Sequence, residues 1–321
     1  MKIQRFATLL LILLLTAVGC TTAPEPTSTS LPPTQPSTAV PVDNASGKTT
    51  LTIADISDAP TDIIESFQPM ADYLAANLGE YGIQQGVVKV APDIASMARL
   101  LESGEVDLYF DSPYPALFIS DVSGAEPLLR RWKDGVSEYH AVIFTLASSG
   151  IETVEDLQGH MIAFDEAYST SGYMLPMAHL VESGLNLSEK TGATASVADD
   201  EIGYLFSGDD DNSVQWVISS VVAAAAVDSA TFAEIPEATR AQLRVIGETE
   251  PLPRHVLVVA PEMDPALKEA IRDLLTQMDQ TEEGQAVLAT FESTARIDEF
   301  PGGAEQALAR MRELFDIVEA Q

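Results

Sequence analysis

Met161-Ile162-Ala163-Phe164-Asp165-Glu166-Ala167-Tyr168-Ser169-Thr170-Ser171-Gly172-Tyr173 is the stretch around which the chain is organised. Its first four residues form a short apolar run led in by Gly159-His160, the pattern of a buried strand. Downstream, Met174, Leu175, Met177, Ala178, Leu180 and Val181 recur at helical spacing until Gly184 stops them. Ser169, Thr170 and Ser171 therefore fall where a strand turns into a helix. The first N–H groups of a helix have no intrahelical partner, and the helix dipole favours negative charge there. The three hydroxyls add donors to the same concavity, and Gly172 lets an oxyanion approach the backbone. Two readings follow from the pattern: an anion cradle, or a serine N-cap with two spectator hydroxyls.

Composition narrows the partners. The 321 residues include 49 Asp and Glu against 17 Lys and Arg, a formal net charge of −32. That balance argues against nucleic acid and anionic membrane surfaces. It does not argue against a small anion held by local donors in a closed pocket. Residues 1–19 have the form of a signal peptide: Lys2 and Arg5, an apolar run from Phe6 to Val18, then Gly19-Cys20. The run is too short to span a bilayer as a lone helix. Cys20 is the only cysteine, which excludes a disulfide framework and a cysteine metal site. Its place after Ala17-Val18-Gly19 resembles a bacterial lipoprotein cleavage box, so Cys20 is expected to be the lipidated first residue of the mature chain. Residues 20–48 then form a Thr-, Pro- and Ser-rich tether to the membrane. Roughly 270 residues remain, enough for two domains or one large one.

The folded part alternates in type. Thr50–Ala54, Val87–Val90 and Val106–Phe110 are expected strands, separated by helical faces at Phe67–Leu78 and Ile94–Leu101. That rhythm belongs to a parallel doubly wound sheet, whose ligands gather at the carboxyl ends of the strands. Asp111, Ser112 and Tyr114 follow the third strand and are candidate pocket residues, although a turn containing Pro113 also uses Asp and Ser for local bonds. Tyr139–Leu146 is another strand, and Thr153–Leu157 carries a helix-start signal. A second strand–helix set follows, with a long apolar helix expected over Val214–Ala224 and strands at Ala225–Asp228, Leu243–Ile246 and Val256–Val259. Helices over Pro265–Met278 and Ala304–Glu319 close the chain. The second set is inserted before the chain returns to the first near Arg254-His255.

Familiar catalytic motifs are missing. No phosphate loop, dinucleotide fingerprint, His-Glu-x-x-His or Gly-x-Ser-x-Gly elbow is present. The four histidines (140, 160, 179 and 255) stand singly, so no metal site is expected. Asp209, Asp211 and Ser213 alternate loosely like a calcium loop but lack its glycine and terminal glutamate. A solvated helix N-cap accounts better for Asp210 or Asp211. No cofactor is expected, and no nucleophile–base pair that would make the chain an enzyme.

Several phrases together resemble one family. They are Phe67-x-Pro69-Met70-Ala71-x-Tyr73-Leu74, Ala91-Pro92-Asp93, Asp156-Leu157-x-Gly159 and Ser169-Thr170-Ser171-Gly172-Tyr173-x-x-Pro176. The chain resembles the substrate-binding proteins of phosphate, phosphite and phosphonate ABC transporters, over about Thr50 to Phe315. The resemblance implies a type II periplasmic-binding-protein fold: two α/β lobes, each a doubly wound sheet, joined by two hinge strands with the ligand between them. The lobes would comprise residues 49–141 with 254–321, and residues 142–253. It implies that Ser169, Thr170, Ser171 and Gly172 hold a phosphorus oxyanion and that Tyr139 is a pocket tyrosine at the hinge. Other positions depart from the family. Ile94 replaces a loop tyrosine and Asp210 a histidine, while the acidic pair of aminoethylphosphonate binders falls on Ala230 and His255, with Asp228 close to the first. A carboxylate at 210 would suit a ligand with a P–OH proton or an ammonium group. The implied partners are a small anion and a transporter permease, the protein itself being a monomer. A ligand-sensing subunit of the same fold is the alternative.

Overall fold

The computed structural model describes residues 47–57 and 59–321. The expected signal peptide, Cys20 and nearly all of the tether lie outside the described residues. In chain order the first elements are β1 (Thr50–Ile56), α1 (Pro60–Asn77), β2 (Gln85–Ala91), α2 (Ile94–Glu102), β3 (Leu108–Asp111), α3 (Pro113–Ser123) and β4 (Glu126–Arg131). A short β5 (Glu138–Tyr139) leads into β6 (Ala141–Leu146), β7 (Met161–Phe164), α4 (Leu175–Glu182), β8 (Leu187–Glu189) and β9 (Ile202–Phe206). Then come α5 (Asp210–Ile218), β10 (Ala224–Asp228), α6 (Ser229–Glu234), α7 (Glu237–Arg240) and β11 (Leu243–Glu248). The chain ends with β12 (Leu252–Pro253), β13 (His255–Val259), α8 (Pro265–Gln277), α9 (Glu282–Thr290), β14 (Ile297–Asp298) and α10 (Ala304–Glu319).

The strands form two six-stranded sheets, in the orders β14-β4-β13-β3-β1-β2 and β11-β6-β10-β7-β9-β8. The ribbon β5–β12 pairs Tyr139 with Leu252 and Glu138 with Pro253, where the chain passes from one sheet to the other and back. Neither sheet is purely parallel. In the first, β13 runs antiparallel to both β3 and β4; in the second, β6 runs antiparallel to both β10 and β11. Each reversed strand directly follows a strand of the crossing ribbon, so it enters its sheet from the end where its neighbours finish.

Packing explains the element choices. In α1 the buried Phe67, Met70, Ala71 and Leu74 lie on one helical stripe against the first sheet. The helix passes so close to β2 that a Cβ on Gly86 would lie 2.0 Å from the Ala71 carbonyl oxygen, which explains a glycine inside a strand. Phe67, Phe110 and Phe291 stack edge to face in that layer, with ring centroids 4.6 and 5.0 Å apart. A second apolar layer covers the outer face of the second sheet through Phe144, Met161 and Val217. A third, containing Tyr109, Tyr114, Ile143, Phe164, Tyr173 and Met311, is continuous between the sheets.

Several local expectations change. Residues 113–131 fold into α3 and β4, which the sequence reading passed over, and α9 was likewise not anticipated. The helix-start signal at Thr153 produces only a 3-10 turn over Glu155–Leu157. The helix expected at Val214–Ala224 starts at Asp210 and ends at Ile218, because Ser220 adopts a positive φ of 56° and turns the chain into β10. Asp209 is the N-cap of that helix, its side chain accepting the Asn212 N–H at 2.6 Å, so neither Asp210 nor Asp211 is the cap.

Candidate functional site

The carboxyl ends of β1, β3 and β4 and the start of β13 lie on one edge of the first sheet. The carboxyl ends of β7, β9 and β10 and the start of β6 lie on one edge of the second. The candidate residues sit on these edges and on the β5–β12 ribbon. In the second sheet β7 ends at Phe164, and Ser169 caps the following helix by accepting the Gly172 N–H at 3.0 Å. Residues Thr170–Met174 make a wide π-helical turn before α4. Gly172 is required by crowding, since a Cβ there would lie 2.4 Å from the Asp165 Cβ and 2.9 Å from the Ser169 hydroxyl oxygen.

Each hydroxyl of the trio has its own role. Ser169 is the cap. Thr170, 1% exposed, uses its Oγ1 to accept the Tyr114 N–H at 2.9 Å and to donate to Ser112 Oγ at 2.9 Å. Ser171 is half-buried beside the phenol of Tyr139. Burial pushes the Tyr139 phenol up; Arg254, whose guanidinium lies 4.4 Å from the ring centroid, and hydrogen bonds from Thr170 and Ser171 pull it back. The trio thus combines both readings of the sequence, cap and donor array.

On the first sheet, Asp111 accepts from the Tyr109 hydroxyl and from the Ser112 N–H. Burial is the main reason its carboxyl is raised above the usual range. Asp55, at the end of β1, is pushed up to about 8 by burial first, then by the negative charges of Asp111 and Glu292. Tyr114 faces away from the cleft, its hydroxyl donating to Glu319 at 2.8 Å and its ring packing on Phe315. What Tyr114 offers the trio is its backbone N–H. His255 is buried opposite Arg131 on β4, and burial together with Arg131, Lys133 and Arg254 holds its pKa well below normal. It is a neutral imidazole with no hydrogen-bond partner for Nδ1 among the described residues.

The second sheet adds three carboxylates. Asp228 caps α6, accepting from the Ala230 and Thr231 N–H groups and from the Thr231 hydroxyl at 2.6 Å. Asp165 is raised by burial, with Asp209 and Asp228 adding to the effect. Asp210 is pushed up to about 7, by burial first and then by Asp165 and Asp228. Asp55, Asp165 and Tyr168 were not among the sequence candidates, though Asp55 stands at the end of a strand by the same rule that singled out Asp111.

Between the sheets lies a cavity of about 470 Å³, lined by Ser169, Asp165, Glu166 and Tyr168 from one side and Asp93 and Asp111 from the other. A second cavity, about 460 Å³, opens at the opposite ends of the second sheet's strands and is lined by no carboxylate, lysine or arginine. Among the described residues no cluster of His, Cys, Asp or Glu is placed to hold a metal ion. No helix of the described residues is long and apolar enough to cross a membrane.

Comparisons with known proteins agree with this architecture. The chain is 28% identical over 224 residues to the phosphate-import protein PhnD of Mycolicibacterium smegmatis, spanning 66% of this chain and 62% of that protein's length. XAC2383 of Xanthomonas citri, solved bound to chloride and bound to ATP, superposes with TM-scores of 0.79 and 0.78 at 28% and 27% identity, over 85% of this chain and 98% of that one. PhnD1 of Prochlorococcus marinus, solved with methylphosphonate, shares the fold at a TM-score of 0.62 and 13% identity, over 84% of this chain and 98% of its own. The fold is that of the type II periplasmic binding proteins. Residues 56–300 match the family described as the periplasmic substrate-binding protein of phosphonate ABC transporters, a family of transport components and not of enzymes. The chain belongs to the phosphonate-type periplasmic substrate-binding proteins of ABC transporters.

Proposed function

We propose that the protein is an extracytoplasmic solute receptor that binds a small phosphorus oxyanion between its lobes and delivers it to an ABC importer permease. Residues 49–141 with 254–321 form one lobe and residues 142–253 the other. Ser169, Thr170, Ser171 and Gly172 hold the oxyanion with Tyr139, and Asp210 meets a proton or cationic group on the ligand. Lipidation of Cys20 anchors the mature chain to the outer face of the membrane, with residues 20–48 as the tether, and the receptor works as a monomer.

One observation carries this reading. The hydroxyl-rich start of the α4 helix, the ribbon tyrosine and the N-terminus of α3 converge where the two sheets' strands end. Such a junction supplies donors to an anion and lets bridging contacts favour closure. No chemical step is involved.

Calorimetric titration with methylphosphonate, phosphite and phosphate tests it, beside the Ser169→Ala/Thr170→Ala/Ser171→Ala triple variant. Each charge-assisted bond lost should cost about 1.5–3 kcal/mol of binding, so the triple variant should lose affinity by several orders of magnitude. Equal affinity in the triple variant would overturn the site assignment.

A further inference from the structure

The cavity beside the cradle is larger than a bare tetrahedral oxyanion fills. Its volume of about 470 Å³ falls within the ~300–1,000 Å³ typical of organic-ligand sites. Ser169 lies in its wall, so the cavity continues directly from the hydroxyl trio. The rest of the wall has an unusual composition for an anion receptor. Ile56, Ile94 and Pro115 supply apolar surface, Tyr168 an aromatic ring, and Asp111 and Asp165 negative charge, while no lysine or arginine lines it.

Tyr168 is positioned by rings from the other side of the cleft: Phe118 at 5.4 Å and Tyr114 at 6.0 Å between centroids. It nonetheless remains 43% exposed. The two carboxylates are already engaged by protein donors. Asp111 accepts from the Tyr109 hydroxyl and the Ser112 N–H, and Asp165 from the Ser169 side chain. They therefore offer negative potential more than open acceptor sites. A primary ammonium would bring three N–H donors to a wall that is mostly apolar, and would leave some of them unpaired. An alkylated ammonium brings charge and methyl surface without donors, which suits carboxylates behind an aromatic face and aliphatic walls.

We propose that this cavity is a subsite for a quaternary ammonium group carried by the phosphorus ligand, making the preferred solute a zwitterionic choline-type phosphoester or phosphonate. The proposal rests on the oxyanion reading of the hydroxyl trio. One end of the solute sits on Ser169–Ser171, and the other lies over Tyr168 between Asp111 and Asp165. Phosphate and methylphosphonate fill only the first end.

The test is calorimetric titration of the mature protein with phosphocholine, phosphoethanolamine, methylphosphonate, inorganic phosphate and choline. Phosphocholine is expected to bind at least about 10-fold more tightly than phosphoethanolamine or methylphosphonate. Tyr168→Leu should lower the ratio of phosphocholine to methylphosphonate affinity by about 10-fold, and Tyr168→Phe, which keeps the ring, should preserve it. If methylphosphonate, phosphate or phosphoethanolamine binds as tightly as phosphocholine, the subsite is overturned and the cradle stands. If choline binds while no phosphorus compound does, the cradle falls and the subsite stands. Binding of none of the five overturns both.

Discussion

Thr170 and Ser112 meet hydroxyl to hydroxyl at 2.9 Å, 58 residues apart in sequence. The Tyr114 N–H donates to the same Thr170 oxygen at 2.9 Å, so one buried side chain ties the start of α4's helix to the start of α3. Thr170→Val keeps the shape but leaves that N–H without an acceptor. Stability of the ligand-free protein should fall by about 1–3 kcal/mol, and Thr170→Ser should recover most of it. Urea melts of the two variants measure this; a valine variant as stable as the parent would mean the bridge contributes nothing net.

Ser169 is expected to behave differently from its neighbours. As the cap for the Gly172 N–H, its replacement by alanine should cost about 1 kcal/mol of stability. Ser171→Ala should leave thermal stability nearly untouched and act on methylphosphonate binding instead. Thermal melts and titrations of the two single variants separate cap from cradle.

Asp55 links stability to pH. Its carboxyl keeps a proton up to about 8 in the folded protein, against 3.8 for the unperturbed group. Between those values the native state binds more protons than the unfolded chain, so stability falls as pH rises, by at most about 1.4 kcal/mol per pH unit. Asp55→Asn removes that dependence. The variant should gain on the parent from pH 5 to pH 8 in urea midpoint; parallel pH profiles would show that Asp55 titrates normally.

Asp210 should govern the pH dependence of binding. Below its shifted value of about 7 the carboxyl is protonated and can donate to an oxyanion; above it the carboxylate repels one. Affinity for methylphosphonate should therefore weaken as pH rises through 7, and Asp210→Asn should flatten the curve. Titrations at pH 5.5 and 8.5 decide, and identical profiles would remove Asp210 from the pocket.

Arg131 has no exposed side-chain surface and is held by Glu292 at 2.9 Å, Thr294 at 2.8 Å and the Phe291 carbonyl at 3.0 Å. Glu292→Gln leaves its charge without a counter-charge and should destabilise the fold by about 3–5 kcal/mol. Arg131→Met should be milder, because it removes the charge together with its need for a partner. Denaturant unfolding of both variants checks the order.

Much of the local structure was legible because it is written in short-range periodicity. Phe67, Met70, Ala71 and Leu74 mark a helical stripe whatever they pack against, and Met161–Phe164 is a buried strand in almost any α/β arrangement. Segments that are apolar all round were harder. Most of α3 is buried, so its pattern has no polar face to set a period, and Pro113 and Pro115 mimic a turn. The helix expected to run to Ala224 was misplaced for a related reason: apolar residues continue from α5 into β10, and only the positive φ of Ser220 divides them.

By itself the sequence was sufficient to place three hydroxyls where a strand becomes a helix, because capping chemistry and apolar period both act within a few residues. It also carried the acidic composition and the lone Cys20. Tertiary structure alone decided which of those hydroxyls is a cap and which a bridge. It likewise decided that β13 and β6 run against their neighbours, and that Asp55, Asp111, Asp165 and Asp210 end on facing edges of two sheets. These are meetings between residues far apart in the chain. They depend on the path of the backbone through the β5–β12 ribbon, and burial at that junction, which no local pattern encodes, is what raises the carboxylates' proton affinity.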